Sequence, residues 1–296
     1  MRALASRIYD NAYVLMTLTA FFWGGNFVLG RGIADQIPPI ALACLRWSFA
    51  TLIFAPFAIE QTRKDWPEII RNRWIILFLG IIGGGTFNTM TYIGLGHTTA
   101  LNALVIQSSG PVLIMIAAYL VFSDRVSMTQ LAGITLSLSG VLWVITSGRI
   151  GEITGLEVNP GDLIILFAFM TWAIYTIYLR KRPDIHWMSF ILMLSLIAAL
   201  VNIPIWAYEH FAIRQIQPTL TTFLTVTYVA IFQSVLAFIF FNRSVELIGA
   251  NRTGVFMHLV PVFGTILAIL LLGEHLQSYH LIGFGLIISG VIFAAR

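Results

Sequence analysis

Thr19-Ala20-Phe21-Phe22-Trp23-Gly24-Gly25-Asn26-Phe27, running on to Arg31, returns as Ala168-Phe169-Met170-Thr171-Trp172-Ala173-Ile174-Tyr175-Thr176, running on to Arg180. The two Trp are 149 residues apart, and so are the two Arg. Pro111 and Pro261 recur at 150, as do Asp124 and Glu274, Gly133 and Gly283, and Ser139-Gly140 and Ser289-Gly290. One register therefore covers nearly the whole chain. Chance likeness between two apolar segments would not produce it.

Hydrophobic residues make up 58% of the chain and charged residues 10%. Soluble domains carry about 25% charge, so the apolar stretches read as membrane spans of about 20 residues each. Backbone groups cannot stay unpaired in lipid, so these spans are helices. Ten are expected, over 11–31, 40–60, 73–96, 99–122, 127–147, 160–180, 187–208, 220–241, 250–272 and 278–295. The fold class is all-α integral membrane protein, as two five-helix repeats at 1–147 and 160–296. A Gly-rich external linker, 148–159, joins them. Five is odd, so the second repeat enters the bilayer inverted relative to the first. Inverted repeats place a site between them near the midplane and mark secondary transporters.

Thirteen of the seventeen Lys and Arg fall on the face holding the N-terminus, among them Arg7, Arg63, Lys64, Arg125, Lys181, Arg243 and Arg252. Arg31, Arg149 and Arg214 fall on the other face. This bias puts both termini in the cytoplasm. Arg46 lies inside a span and is expected to snorkel to the nearer surface. The basic residues form no continuous stripe, so no nucleic-acid partner is expected. Cys44 is the only cysteine, which excludes an internal disulfide and a CxxC-type metal site. The apolar run after Arg7 contains the repeat motif and reads as an uncleaved first helix.

Catalysis needs paired carboxylates, a nucleophile with a base, or a metal cluster. The spans supply none of these, so no catalytic residue, metal or cofactor is expected. Asp162, Glu246 and Glu274 lie near span ends and read as solvated or end-capping groups. The deep polar residues are mostly uncharged: Asn26, Asn88, Tyr92, Asn102, Gln107, Tyr175 and Gln233. Such groups are costly in lipid unless they pair or face a wet cavity. Trp23 and Trp172 are mid-span, with Asn26 and Tyr175 at i+3 on the same helix faces. Trp23, Asn26, Asn88, Tyr92, Gln107, Trp172, Tyr175, Gln233 and His258 are thus expected around one central substrate cavity, neutral in charge. Pro111 and Pro261 are expected as mid-span hinges that free the carbonyls of Gln107 and Met257. Gly83-Gly84-Gly85 reads as close helix packing. Gly133, Ser137, Gly140, Gly285 and Ser289 fit internal packing or a subunit contact, leaving monomer or homodimer open.

Trp23-Gly24-Gly25-Asn26-Phe27 resembles the opening motif of the EamA family, in the drug/metabolite transporter superfamily. Trp172 to Thr176 with Arg180 resembles its second copy, and Pro261, Leu272-Gly273-Glu274, Gly283 and Gly290 fit the late-repeat pattern. The first copy departs from it with Ser123-Asp124 in place of Gly-Glu. The overall sequence is most similar to bacterial inner-membrane exporters of aromatic amino acids. The resemblance implies export of a small molecule, an amino acid, from a lipid-embedded carrier. Competing readings are an exporter of another metabolite or drug, and a membrane-embedded lipid-modifying enzyme. A multidrug cation exporter would want a mid-span Glu, and a nucleotide-sugar carrier would want several cations. Energy coupling is open, with His97 and His258 as the only candidates for a proton relay.

Overall fold

The computed structural model describes residues 9–123, 126–149, 159–248 and 256–294. Asp124, Arg125, nearly all of the 148–159 linker, Arg252 and the side chain of Glu246 lie outside the described residues. Helix α1 (Ala12–Gly32) begins where Asn11 Oδ1 accepts the amides of Tyr13 (3.1 Å) and Val14 (3.2 Å). Such a cap satisfies donors that the first helical turn leaves unpaired. Helix α2 (Pro39–Arg71) follows, then α3 (Arg73–Leu95), α4 (Ala100–Gln107), α5 (Gly110–Phe122) and α6 (Met128–Ile145). In the second half come α7 (Pro160–Lys181), α8 (Trp187–Ala212), α9 (Leu220–Ser244), α10 (Leu259–Leu272) and α11 (Ser278–Ala294). Thr99, Ser127, Asn159 and Thr219 cap α4, α6, α7 and α9 through their side-chain oxygens.

Among the described residues, seven helices are long and apolar enough to cross a membrane. The pair α4 and α5, bent by 47° at Ser108-Ser109, makes an eighth, and α10 and α11 are shorter apolar helices. The α4–α5 break corrects the expectation of a kink at Pro111 within a continuous helix. Pro111 instead sits in the first turn of α5, where its missing N–H costs nothing. Pro261 likewise lies in the first turn of α10. Helix α2 is also longer than expected. Its 33 residues reach about 50 Å, beyond a ~30 Å hydrocarbon core. The excess carries Lys64, paired with Glu60 at 3.0 Å, and Asp65, which accepts the His186 amide at 2.9 Å.

Packing is reciprocal between the halves. Helix α2 lies along α8, and α6 along α11. Helix α1 packs on α9 and α10, and its repeat mate α7 packs on α3 and on α4 and α5. The small residues of α6 and α11 face each other. A Cβ on Gly290 would lie 2.6 Å from the Gly133 carbonyl oxygen, and one on Gly140 would lie 2.8 Å from that of Gly283. This close approach places Gly133, Ser137 and Gly140 inside one chain's packing, whereas Gly285 meets nothing within 4 Å. Gly24 plays the same part between α1 and α10, where an added Cβ would lie 2.7 Å from Gly264 N.

Two π-helical stretches interrupt α3 and α9, at Gly80–Thr86 and Val229–Leu236. They begin 149 residues apart, in the register of the sequence repeat. A π turn shifts the hydrogen-bond ladder by one residue. In α3 the shifted carbonyls of Gly83 and Gly84 accept Asn88 Nδ2, each at 3.3 Å. In α9 the Val229 carbonyl accepts Ser234 Oγ at 2.8 Å. Gly83-Gly84-Gly85 does serve close packing, since a Cβ on Gly84 would meet Ala198 Cβ at 2.7 Å and Gly83 lies under the Tyr175 ring. Both interruptions aim side chains at the space between the halves.

Candidate functional site

A cavity lies where the middles of α1, α2, α3, α7, α8 and α9 and the end of α4 converge. Trp23, Asn26, Asn88, Gln107, Trp172, Tyr175 and Gln233 line it. Tyr92 is buried behind the wall and joins through its hydroxyl, which donates to Asn26 Oδ1 at 2.7 Å. His258 is the exception. It lines neither this cavity nor the adjoining chamber, because it precedes α10 as that helix's N-terminal cap residue. Its neighbour Met257 takes the wall position.

Arg46 is the main correction to the sequence reading. It does not snorkel outward: its side chain is 1% exposed and lines the cavity. It lies seven positions after Pro39, so it stands roughly 10 Å along the helix from that end. Its Nε donates to Ser234 Oγ (2.7 Å), and its Nη1 donates to Asn88 Oδ1 and to Tyr92 Oη (3.2 Å). The Trp47 ring lies 4.6 Å from its guanidinium carbon. The cavity is therefore not neutral. Every acceptor on Arg46 is uncharged, and both π stretches contribute to holding it, through Asn88 and Ser234.

Much of the rest of the wall is aromatic. Trp172 packs against Phe87 (ring centroids 4.9 Å apart) and Tyr175 (5.0 Å). Phe169 stacks on Phe27 at 6.4 Å and meets Phe87 at 5.4 Å. Across the cavity, Trp23 packs on Phe238 and Phe241, and its Nε1 donates to the Gln233 carbonyl at 3.3 Å. The sequence reading missed Phe27, Phe87, Phe169 and Phe238. Phe27 and Phe169 carried a readable signal, lying at i+4 from Trp23 and i−3 from Trp172 on the same helix faces. Gln107 adds a buried Oε1 that has no protein hydrogen-bond partner.

The cavity continues into a wider chamber, which reaches Arg182, Trp187 and Asn242, where α7 ends and α8 begins. The opposite end is crossed by polar ties. Glu209 accepts the amides of Ile40 (3.1 Å) and Ala41 (2.7 Å), capping α2. Glu274 accepts those of Ala100 (2.8 Å) and Leu101 (2.9 Å), capping α4 as its end position suggested. Arg31 donates to the carbonyl of Leu95 (3.3 Å), and Arg214 to that of Ala34 (2.6 Å). Asp162 is not solvated. It is buried, accepting from Thr98 Oγ1 and Asn102 Nδ2 (2.9 Å), and Asn102 Oδ1 meets His280 Nε2 at 2.9 Å. The site is thus walled at one end and continuous with a wide chamber at the other.

Known proteins place this architecture. The EamA-like transporter family matches the chain twice, over residues 10–146 and 159–296. The uncharacterized transporter YyaM of Bacillus subtilis (strain 168) is 26% identical over 289 residues, covering 96% of this chain and 93% of that protein. A probable amino-acid metabolite efflux pump of Salmonella typhimurium is 29% identical over 291 residues, covering 94% and 92%. A solved structure titled only "Crystal structure of protein" shares the fold, with TM-score 0.61 at 18% identity and 96% coverage of each chain. Two family matches spanning nearly the whole chain, over helices apolar enough to cross a bilayer, show that this protein belongs to the EamA-like transporter family and is a multi-pass membrane transporter.

Proposed function

We propose that this transporter exports amino acids, aromatic and other large neutral ones preferred, by alternating access through the central cavity. The observation that carries the reading is the wall itself. An aromatic side chain needs apolar, ring-lined surface, and an amino acid's polar end needs dipoles. Trp172, Phe87 and Phe169 supply the first, and Asn26, Gln107 and Gln233 the second. Ring contacts add about 0.5–1.5 kcal/mol per pair beyond area burial. The Salmonella relative named as an amino-acid metabolite efflux pump supports the substrate class.

The same reading makes the chain two inverted five-helix repeats, 1–147 and 160–296, with ten spans. The reciprocal packing of the halves and the paired π stretches support it. The protein would sit in a bacterial inner membrane with both termini cytoplasmic, and the described chamber would then face inward. Pro111 and Pro261 would mark the places where the two repeats flex.

Counterflow of labelled phenylalanine into proteoliposomes loaded with unlabelled phenylalanine tests this. We expect exchange above protein-free liposomes, competed by tryptophan and leucine better than by lysine. Trp172→Ala should weaken competition by aromatic amino acids about 2–10-fold, in line with a lost ring contact, and change alanine little. No phenylalanine exchange, or equal competition by lysine, would overturn the reading.

A further inference from the structure

Arg46 is a cation deep among membrane helices, and no described carboxylate pairs with it. Of its five N–H donors, three go to Ser234, Asn88 and Tyr92. The two on Nη2 hydrogen-bond no described residue. A buried ion held only by neutral acceptors is costly, and ionisable groups inside a membrane protein face substrate or ion paths. The surrounding framework is also elaborate. Asn88 is fixed by the π-shifted carbonyls of Gly83 and Gly84, and Ser234 by the carbonyl of Val229. Tyr92 is fixed by Asn26. Each of these partners is itself nine-tenths or more buried. The framework orients the guanidinium while leaving its charge uncompensated and one nitrogen unused.

We infer that Arg46 is the carboxylate-binding group of the cavity, and that its ligands are organic monocarboxylates with an apolar or aromatic body. This rests on the proposed small-molecule transport through the same cavity and names the chemistry that selects its cargo. Nη2 donates to the anion, which supplies the missing negative charge. Guanidinium is suited to carboxylate and phosphate alike. A single cation among rings matches one negative charge better than the two of a phosphate monoester. Amino acids then bind through their carboxylate first, and the ammonium end is secondary.

The test uses ligands that separate the two ends. The purified protein is challenged in thermal-shift and counterflow assays with phenylalanine, 3-phenylpropionate, phenylethylamine, phenylalanine amide and phenyl phosphate. We expect phenylalanine and phenylpropionate to stabilise and compete, with phenylethylamine and phenylalanine amide at least about tenfold weaker and phenyl phosphate weaker than phenylpropionate. Arg46→Gln should erase that preference, and Arg46→Lys should keep part of it. If Arg46→Gln does not fold, the wild-type ligand series and Arg46→Lys decide. Phenylethylamine binding as well as phenylpropionate, or phenyl phosphate binding best, would overturn the assignment. Arg46-dependent stabilisation by phenylpropionate without phenylalanine exchange would instead keep the carboxylate site and reject the amino-acid reading. Phenylalanine exchange and ligand preference left unchanged by Arg46→Gln would do the reverse.

Discussion

Ser123 and Gly273 end α5 and α10 in the same left-handed backbone, with φ of 56° and 64°. They are 150 residues apart and occupy one position of the repeat. Glycine adopts this conformation without penalty, whereas a Cβ costs roughly 1–2 kcal/mol. Ser123 was legible in the sequence as a departure from the repeat's Gly-Glu pattern, but its backbone consequence was not. Ser123→Gly should raise stability by about 1 kcal/mol, read as a higher unfolding temperature in detergent with unchanged transport. A lower unfolding temperature would mean that the serine makes a compensating contact. Arg46 shows the opposite case. Sequence gives a residue's distance from a span end but not the direction its side chain takes. A basic residue roughly two helical turns inside a span can snorkel or turn inward, and only the partners on α3 and α9 decide. Asn26, Asn88, Tyr92 and Gln233 were recognisable one by one as deep polar groups. Arg46, the residue set aside, holds Asn88 and Tyr92 directly, and reaches Asn26 through Tyr92 and Gln233 through Ser234.

At the scale of elements, most helices followed from the apolar runs, because that signal is local, but the expected span over 99–122 is broken into α4 and α5. The π stretches were invisible, since a shifted ladder depends on what packs beside it. The end of α2 was also misplaced. Charge after position 60 marks the membrane boundary, yet a helix continues in water when its turns remain paired. The small residues of α6 and α11 were legible as a packing stripe, but only contacts show which members meet. Gly290 faces the backbone of Gly133 and Ser137, and Gly285 faces open space. Gly290→Ala should therefore cost about 1–3 kcal/mol through overpacking, while Gly285→Ala should be close to neutral. Unfolding temperatures of the two variants in one detergent check this. Equal losses would show that the helices are not packed as described.

At the scale of the whole molecule, duplication was the strongest signal in the sequence, and the two family matches at 10–146 and 159–296 follow it. The proposed topology places Arg63 and Gln215 on opposite sides of the bilayer. In a Cys44→Ala background, Arg63→Cys should resist an impermeant thiol reagent applied to intact cells, and Gln215→Cys should react. The reverse pattern would turn the molecule over.

The central claim, that substrate passes through the cavity between the halves, is tested most directly at Met257. This residue lines both the cavity and the chamber. Met257→Cys in the same background is reconstituted in one orientation, and its modification is timed with impermeant reagent on either side, with and without phenylalanine. The account predicts reaction from both sides, because the cavity alternates its exposure, and slower reaction when phenylalanine occupies it. Reaction from one side only, at a rate that phenylalanine does not change, would contradict it.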